Sequence, residues 1–296
     1  MRSLQKDPSR EGKSPESESY PIEDIILRHS KRGMQKLRPH LAKDYCRRAA
    51  AEIYSWKRGV VFLTTGFYVA GYPETDGPTG TAVLAFALRD LGFEPIIVTE
   101  PENEELFTIR GFRVVTANVG EKADFFREMI SKHRPVGMIS VERCGINAEN
   151  DYANMRGVSI GAHNAPIDTL FVIAPEYGIK TVGVGDGGNE IGMGNLADVI
   201  KNELSLVPCV VRADHLVIAS VSNWGAYGLA AYLSVMAGRP LMPSYRWAED
   251  YLEDTVKIGS VDGITHERVP HVDGFDENVE REIIEALREE IEANLG

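Results

Sequence analysis

The chain has 296 residues, of which 43% are hydrophobic, so it is long enough to bury a large core. Its 44 acidic residues outnumber its 32 lysines and arginines, which gives a formal net charge of −12. This charge argues against a nucleic-acid-binding surface and against attachment to an anionic membrane. A small anionic metabolite, the partner we expect, would have to be received through metal ions, backbone amides or a local arginine.

The N-terminus and the cysteines bear on localisation. Residues 1–20 are rich in Ser, Glu, Lys and Pro, which predicts a disordered tail rather than a signal peptide, and residues 21–296 are predicted to form a single α/β catalytic domain. No apolar stretch reaches transmembrane length. Cys46, Cys144 and Cys209 are widely spaced and predict neither a disulfide framework nor a metal-binding pair. We therefore expect a cytoplasmic protein, and a homo-oligomeric assembly is left open.

Strand-like and helix-like segments alternate along the chain. Two helices are predicted first, at 22–29 and 42–57, and buried strands follow at 59–64, 95–98, 113–115, 136–141, 181–184 and 215–219. Further helices are predicted at 79–91, on both sides of the 113–115 strand up to about residue 133, and at 166–177, 195–204, 223–236, 245–256 and 276–294. Alternation of this kind predicts βαβ units. The expected fold is a doubly wound, Rossmann-like α/β fold with a mainly parallel sheet and helices on both faces.

Residues 182–194 are the most informative segment, because an apolar strand ends there in a loop with several glycines. Glycine lets the backbone approach a ligand closely. Asp186 and Glu190 lie four residues apart in this loop and can converge on one cation. The loop lacks the Gly-Lys-Ser/Thr ending of a P-loop, and it matches the dinucleotide fingerprint only in its glycine spacing. Cation binding therefore explains the two acids better than nucleotide binding does.

Further acidic residues follow other predicted strands. In an open α/β sheet, ligands bind outside the carboxyl ends of the strands. A carboxylate that ends an apolar strand is costly to bury unless it is paired or bound to a metal. The candidate metal ligands at this edge are Glu74, Asp76, Glu142, Glu149, Asp168, Asp186 and Glu190. Asp168 is also typical of a helix cap and Asp76 of a turn, and these structural alternatives stay open.

So many carboxylates in one cleft would repel each other and take up protons unless cations neutralised them. Oxygen ligands favour hard divalent ions, so we predict Mn²⁺ or Mg²⁺, and more than one ion is allowed. Zinc fits less well, because the chain has no cysteine cluster and its histidines are scattered. His163 falls near the same edge, where a solvated or core role explains it better than a ligand role.

Six segments between about residues 55 and 275 carry a family pattern in their order and spacing. They are Glu74–Gly80, Glu142–Gly145, Tyr152–Arg156, Pro166–Phe171, Gly183–Gly194 and Ser222–Gly225. Together they resemble the C-terminal domain of the D-glutamate cyclase family. The glycine loop and the Glu-Thr-Asp-Gly-Pro loop are the specific signals, and the other four segments support them.

The resemblance implies a metal-dependent site built from acidic residues, and it matches Glu149 better than Asp151 as the acid of that loop. In eukaryotic members this domain follows a separate N-terminal domain, and the whole protein is associated with converting D-glutamate to 5-oxo-D-proline. This chain is expected to lack that N-terminal domain. Stand-alone members look like manganese-dependent phosphatases.

We therefore predict a divalent-metal-dependent hydrolase, a phosphatase that acts on small phosphoesters. One metal would generate hydroxide while another neutralised the phosphate oxygens. Arg143 or Arg156 would clamp a non-bridging oxygen, and Asn189 and Asn223 would orient the substrate. The residues predicted to be catalytic are Asp76, Glu142, Asp186 and Glu190.

Two alternatives stay open. In a D-glutamate cyclase, the metal would polarise the γ-carboxyl group, and the α-amine, deprotonated by a nearby carboxylate, would attack it as water leaves. In a non-catalytic sensor, the same loop and acids would bind a metal or a metabolite without turnover.

Overall fold

The computed structural model describes residues 20–296, so all but the last residue of the predicted disordered tail lies outside the described residues. The strands are β1 (Val60–Thr64), β2 (Tyr68–Val69), β3 (Tyr72–Pro73), β4 (Glu94–Thr99), β5 (Arg113–Thr116), β6 (Gly137–Val141), β7 (Lys180–Gly185) and β8 (His215–Ile218). The helices are α1 (Pro21–Ile26), α2 (Met34–Leu37), α3 (Tyr45–Ser55), α4 (Pro78–Asp90), α5 (Glu104–Thr108), α6 (Ala123–His133), α7 (Thr169–Ile173), α8 (Ala197–Glu203), α9 (Ser222–Ala237), α10 (Tyr245–Ile258) and α11 (Glu277–Leu295).

The central sheet has six parallel strands in the order β5-β4-β1-β6-β7-β8. Successive strands are added in one direction from β1 to β5 and in the other from β6 to β8. The order reverses between β1 and β6, and a reversal of this kind opens a crevice at the carboxyl ends of the strands. The predicted doubly wound α/β fold is confirmed.

Helix α9 holds one side of the core together. It is buried over most of its length and packs against α1, α3, α4 and α11. Small residues allow this close packing: a Cβ at Gly228 would lie 2.9 Å from Ile26, and one at Gly80 of α4 would lie 2.7 Å from the Cα of Asn223. The first turns of α4 and α9 are thereby brought together beside the crevice.

The predicted elements differ from the structure mainly at their ends. The helix predicted at 166–177 is α7 followed by the 3₁₀ turn Ala174–Tyr177, where Pro175 cannot donate a helical backbone hydrogen bond. The helix predicted at 195–204 begins as the 3₁₀ turn Gly194–Leu196. The β2–β3 hairpin was not predicted, because each strand has two residues. Its turn residues Ala70 and Gly71 both have positive φ.

Candidate active site

Six buried carboxyl groups meet at the crevice between β1 and β6. Their side chains come from the loop between β3 and α4, from the loops that follow β6 and β7, and from the loop before α11. Each of these residues is at most 6% exposed. We call this set the acidic cluster, and its members are Glu74, Asp76, Glu142, Asp186, Glu190 and Asp273. Five of the seven predicted metal ligands are thus brought together at one place.

Two groups of three carboxylates within the cluster are close enough to share a cation. Asp76, Asp186 and Asp273 each offer an oxygen atom, and these atoms lie within 4.8 Å of one another. Glu142, Asp186 and Glu190 form a second group by the same measure. Asp186 belongs to both groups, so it lies at the centre of the acidic cluster.

Asp76 and Asn223 join the two helices beside the crevice through reciprocal caps. The carboxylate of Asp76 accepts hydrogen bonds from the backbone N–H groups of Ser222 (3.0 Å) and Asn223 (2.8 Å), at the start of α9. In return, the side-chain oxygen of Asn223 accepts from the N–H groups of Gly77 (3.0 Å) and Gly80 (2.6 Å), at the start of α4. Each residue satisfies donors that have no partner inside their own helix. The structure therefore gives Asn223, predicted to orient substrate, a capping role.

Glu142 follows β6 directly and turns back into the cluster. Its φ of 46° lies in the left-handed region, which is uncommon for a residue other than glycine. Its Oε2 accepts a hydrogen bond of 2.5 Å from the hydroxyl of Ser222. Strained backbone of this kind is concentrated at functional sites. The conformation directs the side chain toward the acidic cluster instead of away from it.

Glu190 folds the glycine loop around its own carboxylate. The two carboxylate oxygens accept from the backbone N–H groups of Asp186 (3.1 Å), Gly187 (2.5 Å) and Gly188 (2.7 Å). Gly188 has a φ of 106°, which a residue with a side chain rarely adopts. The loop geometry therefore depends on Glu190 as well as on glycine, and it fixes the position of Asp186.

Arg32 and Asp273 belong to the site although no sequence pattern pointed to either residue. The guanidinium of Arg32 bridges two carboxylates: Nη1 lies 2.5 Å from Oδ1 of Asp186, and Nη2 forms an ion pair with Oδ1 of Asp273. Arg32 precedes α2, and Asp273 lies in a loop of left-handed conformation before α11, with a φ of 55°. The three residues are far apart in the sequence, and only the fold brings them together.

Burial dominates the electrostatics of the cluster. It raises the pKa of Asp76 to about 7, and it raises the pKa values of Glu74, Glu142 and Asp186 well above their ordinary values. Burial also opposes the charge of Arg32, but the nearby carboxylates of Asp186 and Asp273 hold its pKa well above the usual value. One guanidinium cannot neutralise six carboxylates. The cluster must either keep protons or take up further positive charge.

The donor set fits a hard divalent cation. Oδ2 of Asp186 and Oδ2 of Asp273 are buried and have no hydrogen-bond partner among residues 20–296. With Asp76 they supply the all-oxygen environment that Mg²⁺, Mn²⁺ and Ca²⁺ prefer. No histidine or cysteine belongs to either group of three carboxylates in this described part of the chain, so the site does not have the composition of a zinc site.

Two predicted ligands lie away from the acidic cluster. Glu149 is exposed, and its backbone N–H donates to the side chain of Asn147 in a surface turn. Asp168 is buried, but it accepts from the backbone N–H of Ile146 (3.0 Å) and from the hydroxyl of Tyr152 (2.7 Å). Asp168 therefore anchors the loop that follows β6, and neither residue belongs to the carboxylate groups described above.

Arg143, predicted to bind substrate, also has its partners outside the acidic cluster. Its guanidinium pairs with both carboxylate oxygens of Glu100 and donates to the carbonyl oxygens of Gly66 (2.9 Å) and Ala165 (2.7 Å). The side chain is 1% exposed. Its predicted role as a phosphate clamp does not agree with this environment, because its charge is already paired. Glu100 follows β4, so the strand-end signal that identified the other acids also applied to it.

A cavity of about 240 Å³ opens beside the acidic cluster. Glu74, Glu142 and Arg32 line its polar side, and Asn189 joins them while its amide donates to the carbonyl of Ala153 (2.9 Å). Exposed Arg156 lies on the lining of the same cavity. The cavity is smaller than most drug-sized ligand sites. It offers one small metabolite a basic group near the surface and carboxyl groups in the interior.

A family model described as D-glutamate cyclase-like, C-terminal, matches residues 22–288. The chain belongs to this family. The human protein "D-glutamate cyclase, mitochondrial" is 32% identical over 221 residues, which cover 66% of this chain and 36% of that protein. This D-glutamate cyclase-like chain therefore spans about a third of the length of its curated relative.

Two solved structures share weaker similarity with this D-glutamate cyclase-like chain. An actinorhodin polyketide ketoreductase with NADPH is 15% identical, with 81% of this chain and 90% of that chain covered and a TM-score of 0.29. An E. coli tRNA N6-threonylcarbamoyladenosine dehydratase in complex with ATP is 12% identical, with 70% and 93% covered and a TM-score of 0.31. Both scores are too low to support an inference about function.

The family match overturns the main functional prediction. The chain is predicted from its sequence to be a phosphatase-type hydrolase, whereas the family is described as D-glutamate cyclase-like and the human relative as a D-glutamate cyclase. The error arose because an acidic metal site suits both chemistries, so the residues alone did not distinguish them.

Within residues 20–296, no helix is both long and apolar enough to cross a membrane. The human relative is described as mitochondrial, so a cytoplasmic location stays a prediction.

Proposed function

We propose that this chain is a lyase of the D-glutamate cyclase type, which interconverts D-glutamate with 5-oxo-D-proline and water. The observation that carries the proposal is the buried acidic cluster on a cavity of about 240 Å³, in a chain of this family. The predicted small anionic metabolite is then D-glutamate itself. The substrate is taken from the name of the human relative, and this chain covers 36% of that protein. The activity of this chain is therefore a proposal.

The reaction needs proton transfer more than any other chemistry. The α-nitrogen forms a bond to the carbon of the γ-carboxyl group (Cδ), and one oxygen of that carboxylate leaves as water with two of the three ammonium protons. Carboxyl groups with raised pKa values suit this task, since they hold a proton more readily than an ordinary carboxyl group and can return it. Glu74 and Glu142 line the cavity, and burial raises the pKa of both. We assign to them the removal and return of these protons.

The cavity also offers a basic group for the other end of the substrate. Arg156 is exposed and lines the cavity, where its guanidinium suits a carboxylate through paired N–H donors. We assign to it the α-carboxylate of D-glutamate. Asn189, with its amide held by Ala153, is the neighbouring polar group that would orient the substrate.

We further propose that Asp76, Asp186 and Asp273 hold a divalent cation, Mn²⁺ or Mg²⁺. The support is the 4.8 Å grouping of their oxygens and the two unpartnered Oδ2 atoms within the described residues. When bound, the cation would polarise the γ-carboxyl group of the substrate. The remaining chemistry belongs to the side chains of the protein.

The test is chiral detection of 5-oxoproline after incubation of the full chain with D-glutamate or L-glutamate, with Mn²⁺, with Mg²⁺ or with EDTA. We expect product from D-glutamate in the presence of metal. Glu142→Gln should lower kcat by at least about a hundredfold, because it removes a group that transfers protons. Glu149→Gln, an exposed acid from the loop after the same strand, is the matched control and should keep full activity.

The outcomes separate the alternatives. Absence of 5-oxoproline with either enantiomer and any metal would refute the proposed reaction. If calorimetry then detected D-glutamate binding without turnover, the sensor alternative would be supported. If Glu142→Gln kept wild-type kcat, the cyclase could stand but its acid–base assignment would be wrong.

A further inference from the structure

A basic segment closes the acidic cluster from one side. Residues 28–32 connect α1 to α2, and they lie against the C-terminal part of the chain. Arg28 and His29 both pair with Glu282 of α11, at 3.3 and 3.0 Å. The ammonium of Lys31 lies 4.0 Å from the ring centroid of Phe275. We call residues 28–32 the basic strap, and these contacts hold it in place independently of the acidic cluster.

Arg32, at the end of the basic strap, contacts one oxygen atom from each of two aspartates. Its Nη1 donates a hydrogen bond to Oδ1 of Asp186, and its Nη2 donates one to Oδ1 of Asp273. Both Oδ2 atoms are left buried without a partner among the described residues. A buried acceptor without a partner is unfavourable, because it has lost its hydrogen bonds to water and gained none in return. The arrangement therefore fixes two carboxylates and leaves one oxygen of each available.

We propose that Arg32 is a positioning residue of the cation site, which holds Asp186 and Asp273 so that their Oδ2 atoms are free to bind a divalent cation. This inference rests on the cation assigned above to Asp76, Asp186 and Asp273. Arg32 acts through the two aspartates and is not itself a ligand. Groups that orient metal ligands from outside the coordination shell commonly govern metal affinity.

The charges allow Arg32 and a divalent cation to be present together. The acidic cluster has six carboxyl groups, so one guanidinium and one divalent ion still leave an excess of acid. Arg32 and the cation would also use different oxygen atoms of the same carboxylates. A guanidinium has a planar fork that can hold two carboxylates at once, whereas an ammonium is a point charge without this fixed geometry. Lysine at position 32 should therefore preserve the charge but not the alignment.

The loop that carries Asp273 needs such support. Asp273 has a φ of 55°, and the following Gly274 donates its N–H to Asp262 at 2.7 Å. Asp262 also accepts from the N–H groups of Ile264 and Thr265, so it organises the backbone of this loop. Among the contacts within residues 20–296, Arg32 is the partner that fixes the side chain of Asp273 against Asp186.

Binding of Mn²⁺ to the metal-free full chain tests the inference, measured by calorimetry and by electron paramagnetic resonance of free Mn²⁺. We compare wild type with Arg32→Gln, Arg32→Lys and the matched control Arg28→Gln, which alters the same strap at Glu282. We expect Arg32→Gln to weaken Mn²⁺ binding by about ten- to hundredfold. Arg32→Lys should give an intermediate loss, and Arg28→Gln should bind like wild type.

The outcomes distinguish this inference from the proposed function. If wild type binds no Mn²⁺, the assigned cation site itself is wrong. If wild type binds Mn²⁺ but folded Arg32→Gln binds it equally well, or more tightly as expected for a competitor, the positioning role is overturned. Circular dichroism checks folding. Should Arg32→Gln be unfolded, undiminished affinity in folded Arg32→Lys would overturn the role in the same way.

Discussion

Asn223→Ala should destabilise the protein strongly, because Asn223 caps a helix to which it does not belong. The side chain is fully buried and accepts from the backbone N–H groups of Gly77 and Gly80. Alanine leaves the buried N–H of Gly80 without an acceptor, whereas the N–H of Gly77 keeps a second acceptor, Oδ1 of Asp76, at 2.9 Å. An unsatisfied buried donor costs about 1–3 kcal/mol, so the expected loss is about 2 kcal/mol. For a chain of this size, that corresponds to a fall in Tm of about 4–8 °C.

Thermal and urea unfolding followed by circular dichroism measure this loss. Ser244→Ala is the matched control, since Ser244 caps α10 with one bond from an exposed position. Loss of such a cap should cost about 0.5–1 kcal/mol. If Asn223→Ala lost no more stability than Ser244→Ala, the reciprocal caps would not be important for joining α4 to α9. A substrate-orienting role would then be the better explanation of Asn223.

Two further predictions concern buried acids outside the acidic cluster. Burial raises the pKa of Glu280 above its ordinary 4.5, so the folded state retains the proton of Glu280 more strongly than the unfolded state does. The stability that this protonated group contributes should therefore fall as the pH rises through its folded-state pKa. Glu280→Gln should therefore flatten the decline of Tm as the pH rises above about 4.5, the ordinary pKa of the group, whereas Glu289→Gln, which changes an exposed acid on the same helix, should not. Parallel profiles would contradict this linkage. Glu100→Ala should lower the free energy of unfolding, measured in urea, by about 3–5 kcal/mol, because it leaves the buried Arg143 guanidinium without its carboxylate. A loss below about 1 kcal/mol would show that the pair is not needed for stability.

The parallel sheet, with acids at its carboxyl edge, was well predicted by the sequence. Buried parallel strands are short apolar runs, and β1, β4, β6, β7 and β8 all have this pattern. Because acids at the carboxyl ends of such strands share one edge, the convergence of Asp76, Glu142 and Asp186 could be expected from the positions of these acids along the chain. That expectation requires only that the strands are parallel, so it did not depend on the strand order.

The same reasoning failed where a loop controls the direction of a side chain. Glu149 follows β6 at a distance that allows it to reach the crevice, but a surface turn organised by Asn147 leaves it exposed. Arg143 has the right chemistry for an anion, yet Glu100 neutralises it in the interior. Spacing along the chain gives an approximate position, whereas burial and pairing depend on contacts that a single sequence does not display.

Arg32 could not be found from local patterns for a related reason. It lies in a short basic run that resembles an ordinary solvated loop, and its partners Asp186 and Asp273 are separated from it by 154 and 241 residues. Neither partner has a local feature that calls for an arginine. Contacts at such separations depend on how α1 and α11 dock on the rest of the fold, which composition and periodicity do not determine.

The acidic cluster combines carboxylates that the fold uses as hydrogen-bond acceptors with carboxylates that each keep one oxygen atom the fold does not use. Glu190 accepts three backbone N–H bonds and Asp76 caps α9, so both carboxylates have structural partners whether or not a ligand is present. Asp186 and Asp273 differ, because Oδ2 of each is buried without a partner in the described residues. Stability alone would favour pairing or replacing such groups. Within the cluster, the case for a ligand is therefore strongest at Asp186 and Asp273.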